Sequence, residues 1–205
     1  MRVLLAALLA AGAPVAHHTA AGAKAARATL LTQKDVGKAW SAAAPAAQEG
    51  VALTCPLHTP SGKGIVEVGV ASSPAFSPAP TGPFVQQNTS VYASAAQAST
   101  WWRRAVTASL ARCASETLAA LGAKGVKVGA AARGKLAIRT VLPHTASYRV
   151  TATANGKKLY FDLIVLGSGR TITALTITSF VQPVPATDEQ ALATLIVRKL
   201  GGPAA

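Results

Sequence analysis

The chain has 205 residues, half of them apolar but only 5% aromatic, with two cysteines and a formal net charge of +13. That length fits one domain with a real core, and the shortage of aromatic residues leaves the core to Val, Leu and Ile with a few large anchors. No phosphate loop, dinucleotide fingerprint or Cys-x-x-Cys pattern occurs, so neither a cofactor nor a metal is expected.

The chain opens with Arg2, an apolar run from Val3 to about Ala16, and small residues ending in Ala21-Gly22-Ala23. This is the pattern of a secretory signal peptide over residues 1–23, leaving a single domain over residues 24–205. The run is too short for the ~20 apolar residues of a membrane span, and Gly12, Pro14, His17 and His18 interrupt it. No cysteine follows it for lipid attachment. A secreted or loosely envelope-associated monomer without a transmembrane anchor is expected.

Lys24 to Ala28 reads as a frayed lead-in, after which Thr32 caps a short helix stapled by Leu31 and Val36 and ended by Gly37. Trp40 follows as an apolar anchor, and residues 41–50 read as a loop. Residues 65–71 alternate as a strand, whereas four prolines between Ser72 and Pro83 mark an exposed loop. A second strand, Phe84–Ala93, runs into the longest helix. Ser94 and Gln97 form its capping box, Gly122 stops it, and Trp102, Val106, Leu110 and Cys113 share its inner face.

The second half reads as strands: 136–142, 147–154, 157–166 and 170–180. Asn155-Gly156 predicts a two-residue type I′ hairpin, in which Val150 faces Phe161 and Tyr148 faces Leu163 on the core side. Arg149 then lies opposite Asp162 as an ion pair on the other face, worth well under ~1 kcal/mol if exposed. The loop at Gly167-Ser168-Gly169 has two or three residues, which decides whether Ile172 or Leu175 and Ile177 face the core. Thr187 and Gln190 form a capping box for a last helix ending before Gly201. The elements sum to an α+β fold, an antiparallel β-sheet with two main helices packed on one face.

In an oxidising compartment Cys55 and Cys113 pair as a disulfide. Of the histidines outside the signal, His58 and His144 have no acid near them in sequence, and Gly167-Ser168-Gly169 lacks the Gly-x-Ser-x-Gly spacing of a nucleophile elbow. An enzyme is therefore not expected. The rival is a hydrolase with a dispersed site built from His58, His144, Ser168 and Asp162. Trp101 falls at the edge of the core stripe, where it packs under a loop or lines a groove beside Arg104 and Arg112. The surplus of Lys and Arg favours anionic neighbours, and Arg103, Arg104, Arg112, Lys124 and Lys127 lie on or just beyond one helix. Nucleic acid is an odd target outside the cell, which leaves an anionic envelope lipid or glycan.

Leu30-Leu31-Thr32 leading to Asp35, Val36, Gly37 and Trp40 resembles the opening of the PknH-like extracellular sensor domains of actinobacteria. Cys55, Val91-Tyr92 before an alanine-rich helix with Cys113, and Tyr160–Val165 with Gly169-Arg170 extend the resemblance over roughly residues 28–200. It implies an antiparallel sheet backed by two helices, with an open cleft for an extracellular ligand. A stand-alone secreted member is implied, since no kinase domain accompanies the sensor. The cleft is expected between the long helix, the proline-rich loop and the second-half sheet, with Trp101, Arg104, Arg112 and Tyr160 as ligand-binding residues. One cysteine pair is present where the kinase sensors have two.

Overall fold

A computed structural model describes residues 13–45, 47–55, 58–119, 129, 131–139, 142–180 and 182–201. The elements in chain order are β1 (Val15–Ala16), α1 (Ala20–Ala28), α2 (Gln33–Val36), β2 (Ser41–Ala43), β3 (Val66–Ser72), β4 (Ala75–Ser77) and β5 (Phe84–Tyr92). Then follow α3 (Ala95–Ala105), α4 (Leu110–Ala119), β6 (Ala132–Lys135), β7 (His144–Ala154), β8 (Lys157–Ser168), β9 (Thr171–Phe180) and α5 (Ala186–Lys199). The main sheet path is β1-β3-β5-β9-β8-β7-β6, with β4 joined to β5 and β2 to β4. Its pairings are antiparallel except that of β1 with β3.

The β7–β8 hairpin follows the Asn155-Gly156 turn, with φ of 49° and 78°, and pairs Val150 with Phe161, Tyr148 with Leu163 and Arg149 with Asp162. The next turn is the two-residue Gly169-Arg170, since Ser168 pairs with Thr171. The expected choice between Ile172 and Leu175 with Ile177 does not arise, because both faces of the sheet are covered. Leu163, Val165 and Ile172 pack with Trp101, Leu110 and Cys113 of α3 and α4. Ile164, Leu166, Leu175 and Ile177 pack with Ala193, Ile196 and Val197 of α5. Adjacent residues of a strand point to opposite faces, so α5 and the α3–α4 pair lie on opposite sides of the sheet. This corrects the expectation of two main helices on one face. The run Leu163-Ile164-Val165-Leu166, with no polar alternation, is what a strand buried on both sides requires.

The helix expected from Ser94 to Gly122 is broken. Val106 leaves helical geometry (φ −89°, ψ 81°), and α4 restarts at Leu110. Val106-Thr107 is a β-branched pair, and the Thr107 hydroxyl accepts from the Ser109 N–H, giving the backbone a local alternative to the helix. The break rotates the predicted stripe: Trp101 is buried, and Trp102 is only half-buried. The stop at Gly122 lies outside the described residues, as do Lys124 and Lys127.

Other local expectations also change. The proline-rich stretch contains β4, whose Phe76 is fully buried, and Ser41–Ala43 pairs with it instead of forming a loop. Residues 136–139 carry no strand; β6 precedes them. The Thr187–Gln190 capping box is not formed. Gln190 instead donates to Arg139 O and accepts from Arg139 N–H, each at 2.8 Å, tying α5 to the segment after β6. At α2 the Asp35 carboxylate accepts from both the Thr32 N–H at 2.7 Å and the Thr32 hydroxyl at 2.6 Å. Residues 24–28 are the second half of α1 rather than a frayed lead-in. Cys55 and Cys113 form a disulfide with Cα atoms 5.5 Å apart, tying the segment before β3 to α4.

Candidate functional site

On the α5 side an apolar groove of about 470 Å³ runs between α2, α5 and the loops flanking β4 and β9. Trp40, Val36, Pro78, Pro83 and Val85 form one wall, and Val184, Pro185, Ala191, Leu192 and Leu195 the other. Each wall has a local cause. Gln33 Nε2 donates to the carbonyls of Gly37 and Trp40, which holds the turn that presents Trp40. Leu192 and Leu195 stand three residues apart on α5, hence on one side of it. Pro78 and Pro83 lie in the connection between β4 and β5, and Pro185 in that before α5, where no ladder hydrogen bond is needed.

Two carboxylates edge this groove, and among the described residues no lysine or arginine lines it. Burial opposes ionisation of Asp35, yet the hydrogen bonds from Thr32 and the contact with Lys199 at 3.0 Å outweigh it and hold the carboxyl below its usual value. Asp188 is exposed in the first turn of α5.

Under the start of α5 lies an ionic cluster. Arg149 donates to both Asp162 oxygens at 2.7 and 2.8 Å and to Glu189 at 2.6 Å. Asp162 is wholly buried and Glu189 is 1% exposed, so the expected pair is not an exposed one but part of a triad whose two carboxylates are buried and whose Arg149 is half-buried. Burial and the neighbouring Asp162 push the Glu189 carboxyl up to about 8, against the pull of Arg149. The cluster fixes α5, and with it one wall of the groove, on β7 and β8.

A second cavity, about 380 Å³, lies between α3, β7 and the segment after β6. Trp102, Val106, Lys135, Leu136, Ile138 and Tyr148 line it. Beside it His144 stacks on Trp102 with ring centroids 5.0 Å apart, and its Nε2 lies 3.1 Å from Ser99 Oγ. Gly167 makes room for that stack, since a Cβ there would stand 3.0 Å from the Cβ of His144. Tyr148 donates to Thr107 O at 3.3 Å, which braces the helix break.

The residues expected to bind ligand are not brought together. Trp101 is 2% exposed and belongs to the core. Arg104 is exposed and donates to the carbonyls of Ser61 and Lys63, and Arg112 is exposed on α4. Tyr160 shares the strand parity of Asp162 and Ile164, which puts it on the α5 side, away from both arginines. The expected cleft is likewise divided: the proline-rich loop lines the groove on the α5 side, and the helix break lines the second cavity.

Of the residues of the rival hydrolase, His58 bonds the Ala105 carbonyl at 2.7 Å, and Asp162 is held by Arg149. His144 does meet a serine, but it is Ser99, which its place in an alanine-rich helix did not single out. The groove was missed because its parts are scattered from Asp35 to Leu195; the usable signal was Trp40 together with prolines in two separate loops. Among the described residues no three His, Cys, Asp or Glu side chains gather as a metal site, and no helix is long and apolar enough to cross a membrane. No family model, curated protein or solved structure matches the chain, so the PknH-like resemblance rests on its short motifs.

Proposed function

We propose that the protein is a non-enzymatic, sensor-like binding module of a cell envelope, and that its groove takes the apolar chain of an envelope lipid. The observation that carries this is the groove itself: its volume falls within the ~300–1,000 Å³ of ligand sites, and its walls are apolar with a few polar groups at the edge. A glycan needs polar partners along its length, which these walls do not offer. The net charge, +13 for the whole chain and +12 once Arg2 leaves with the leader (13 minus 1), attracts the protein to anionic envelope surfaces, but with no cation lining the groove among the described residues that attraction acts on approach and the groove reads the chain.

Titration with octanol, decanol and dodecanol tests this. Each buried methylene is worth ~0.8 kcal/mol, so each two-carbon step is expected to tighten binding about tenfold until the groove is full. The matching carboxylates are expected to bind no tighter than the alcohols, because the charged groups lining the site among the described residues are Asp35 and Asp188, and the nearby Lys199 is engaged by Asp35. Affinity that ignores chain length would remove the proposal.

One observation favours the rival hydrolase, namely the 3.1 Å contact of Ser99 with His144. Catalysis needs a third group to orient the base and donors for the oxyanion, and no carboxylate hydrogen-bonds His144 among the described residues. Treatment with a fluorophosphonate is expected to leave Ser99 unlabelled. Labelling that Ser99→Ala abolishes would reverse the choice.

A further inference from the structure

We infer that residues 13–23 stay in the mature protein, and that the leader is cut at the Gly12–Ala13 bond, not after Ala23. The inference rests on the sequence reading of a leader at the start of this chain, and on how the segment after it is built into the fold.

Strand β1 adds to the edge of β3. Val15, His17 and Thr19 donate backbone N–H groups to the carbonyls of Ile65, Glu67 and Val68 at 2.8–2.9 Å. Thr19 then caps α1, its hydroxyl accepting from Gly22 N–H at 2.9 Å. The helix crosses β3 backbone against backbone: a Cβ on Gly22 would stand 2.1 Å from Val68 O, and one on Gly69 2.1 Å from the carbonyl carbon of Gly22. Further along, Ala26 and Leu30 bury themselves against Ala71 and Val91. Gly62 approaches Ala13 just as closely, its Cβ position lying 2.2 Å from Ala13 O.

A cut after Ala23 would remove β1, the helix cap and the first turn of α1. The three β3-side carbonyls would lose their donors, and Gly69 would face an empty cleft. Five residues of α1 would remain, Lys24–Ala28, too few to hold a helix without a cap.

The sequence offers an earlier site. Ala10-Ala11-Gly12 places small residues one and three positions before the Gly12–Ala13 bond, and Val3–Ala11 is an apolar run of ordinary leader length. The overlapping Ala11-Gly12-Ala13 would put the cut at a bond to Pro14, a tertiary amide without an N–H that also restricts the residue before it.

The test is to express the full chain in a secreting host and read the N-terminus of the protein recovered from the medium by intact mass and terminal sequencing. Ala13 is the expected first residue. Lys24 would overturn the inference, and an uncut Met1 terminus would overturn it by removing the leader. Two chains made without leaders, starting at Ala13 and at Lys24, give a second reading. The shorter is expected to melt roughly 10 °C lower or not to fold; equal melting would contradict a structural role for residues 13–23, whereas retained chain-length dependence in the Ala13 form shows that the binding proposal stands or falls separately.

Discussion

Arg149→Met is expected to lower stability by about 3–5 kcal/mol, the largest effect of any single substitution considered for this protein, because it leaves Asp162 buried without its cation. The same cluster sets a pH dependence. Glu189 has its folded-state pKa raised from 4.5 to about 8, chiefly by burial and then by Asp162. The folded protein therefore binds more protons than the unfolded chain between those values, and stability falls as pH rises through that window. The contribution is complete below about pH 4.5 and gone above about pH 8. Chemical denaturation at pH 5, 7 and 9 should show a decline on the order of a few kcal/mol. Glu189→Gln copies the protonated acid: its amide can donate to Asp162 while its carbonyl accepts from Arg149. It should match the parent at pH 5 and lose most of the decline. A steeper slope in Glu189→Gln would contradict the protonated form of the acid.

Removing the disulfide with the pair Cys55→Ser and Cys113→Ser should cost about 4 kcal/mol in the chain-entropy treatment, given a sequence separation of 58 residues. For a chain of this size that is a fall in melting temperature of roughly 10–15 °C. The loss should be selective in consequence. The bond ties α4 to the segment before β3 on one side of the sheet, whereas the groove is built on the other side from α2, α5 and the β4 loops. Chain-length dependence of alcohol binding should survive in the folded double variant. Loss of binding at a temperature where the variant remains folded would mean that the two sides are coupled.

The parts of the fold legible in the sequence are those set by local chemistry. Asn155-Gly156 fixed a hairpin register residue by residue, because a two-residue turn with positive φ at both positions allows only one alignment. The hairpin register assigns Arg149 and Asp162 to the side they take but does not give their burial, since a strand pattern says which residues alternate and not what covers each face. The same gap hid the placing of α5 opposite α3 and α4. The break at Val106–Thr107 depends partly on Tyr148, a residue 41 positions away that bonds the Thr107 carbonyl, so helical periodicity alone ran straight through it. Trp101 and Trp102 exchanged roles for that reason. The proposed site was the least legible feature, because none of its pieces carries a motif and only the packing of α5 against the sheet draws Trp40, Pro83 and Leu195 to one groove.

The central claim is that the groove beside α5 is the binding site, and blocking it tests this most directly. Ala191 is exposed and lines the groove, so Ala191→Trp fills it without disturbing the core. In calorimetric titrations with dodecanol the parent protein is predicted to bind and Ala191→Trp to bind at least tenfold more weakly, at an unchanged melting temperature. Trp102→Ala, in the second cavity, should bind as the parent does. Equal affinity of the parent and Ala191→Trp, or loss of binding in Trp102→Ala alone, would contradict the account.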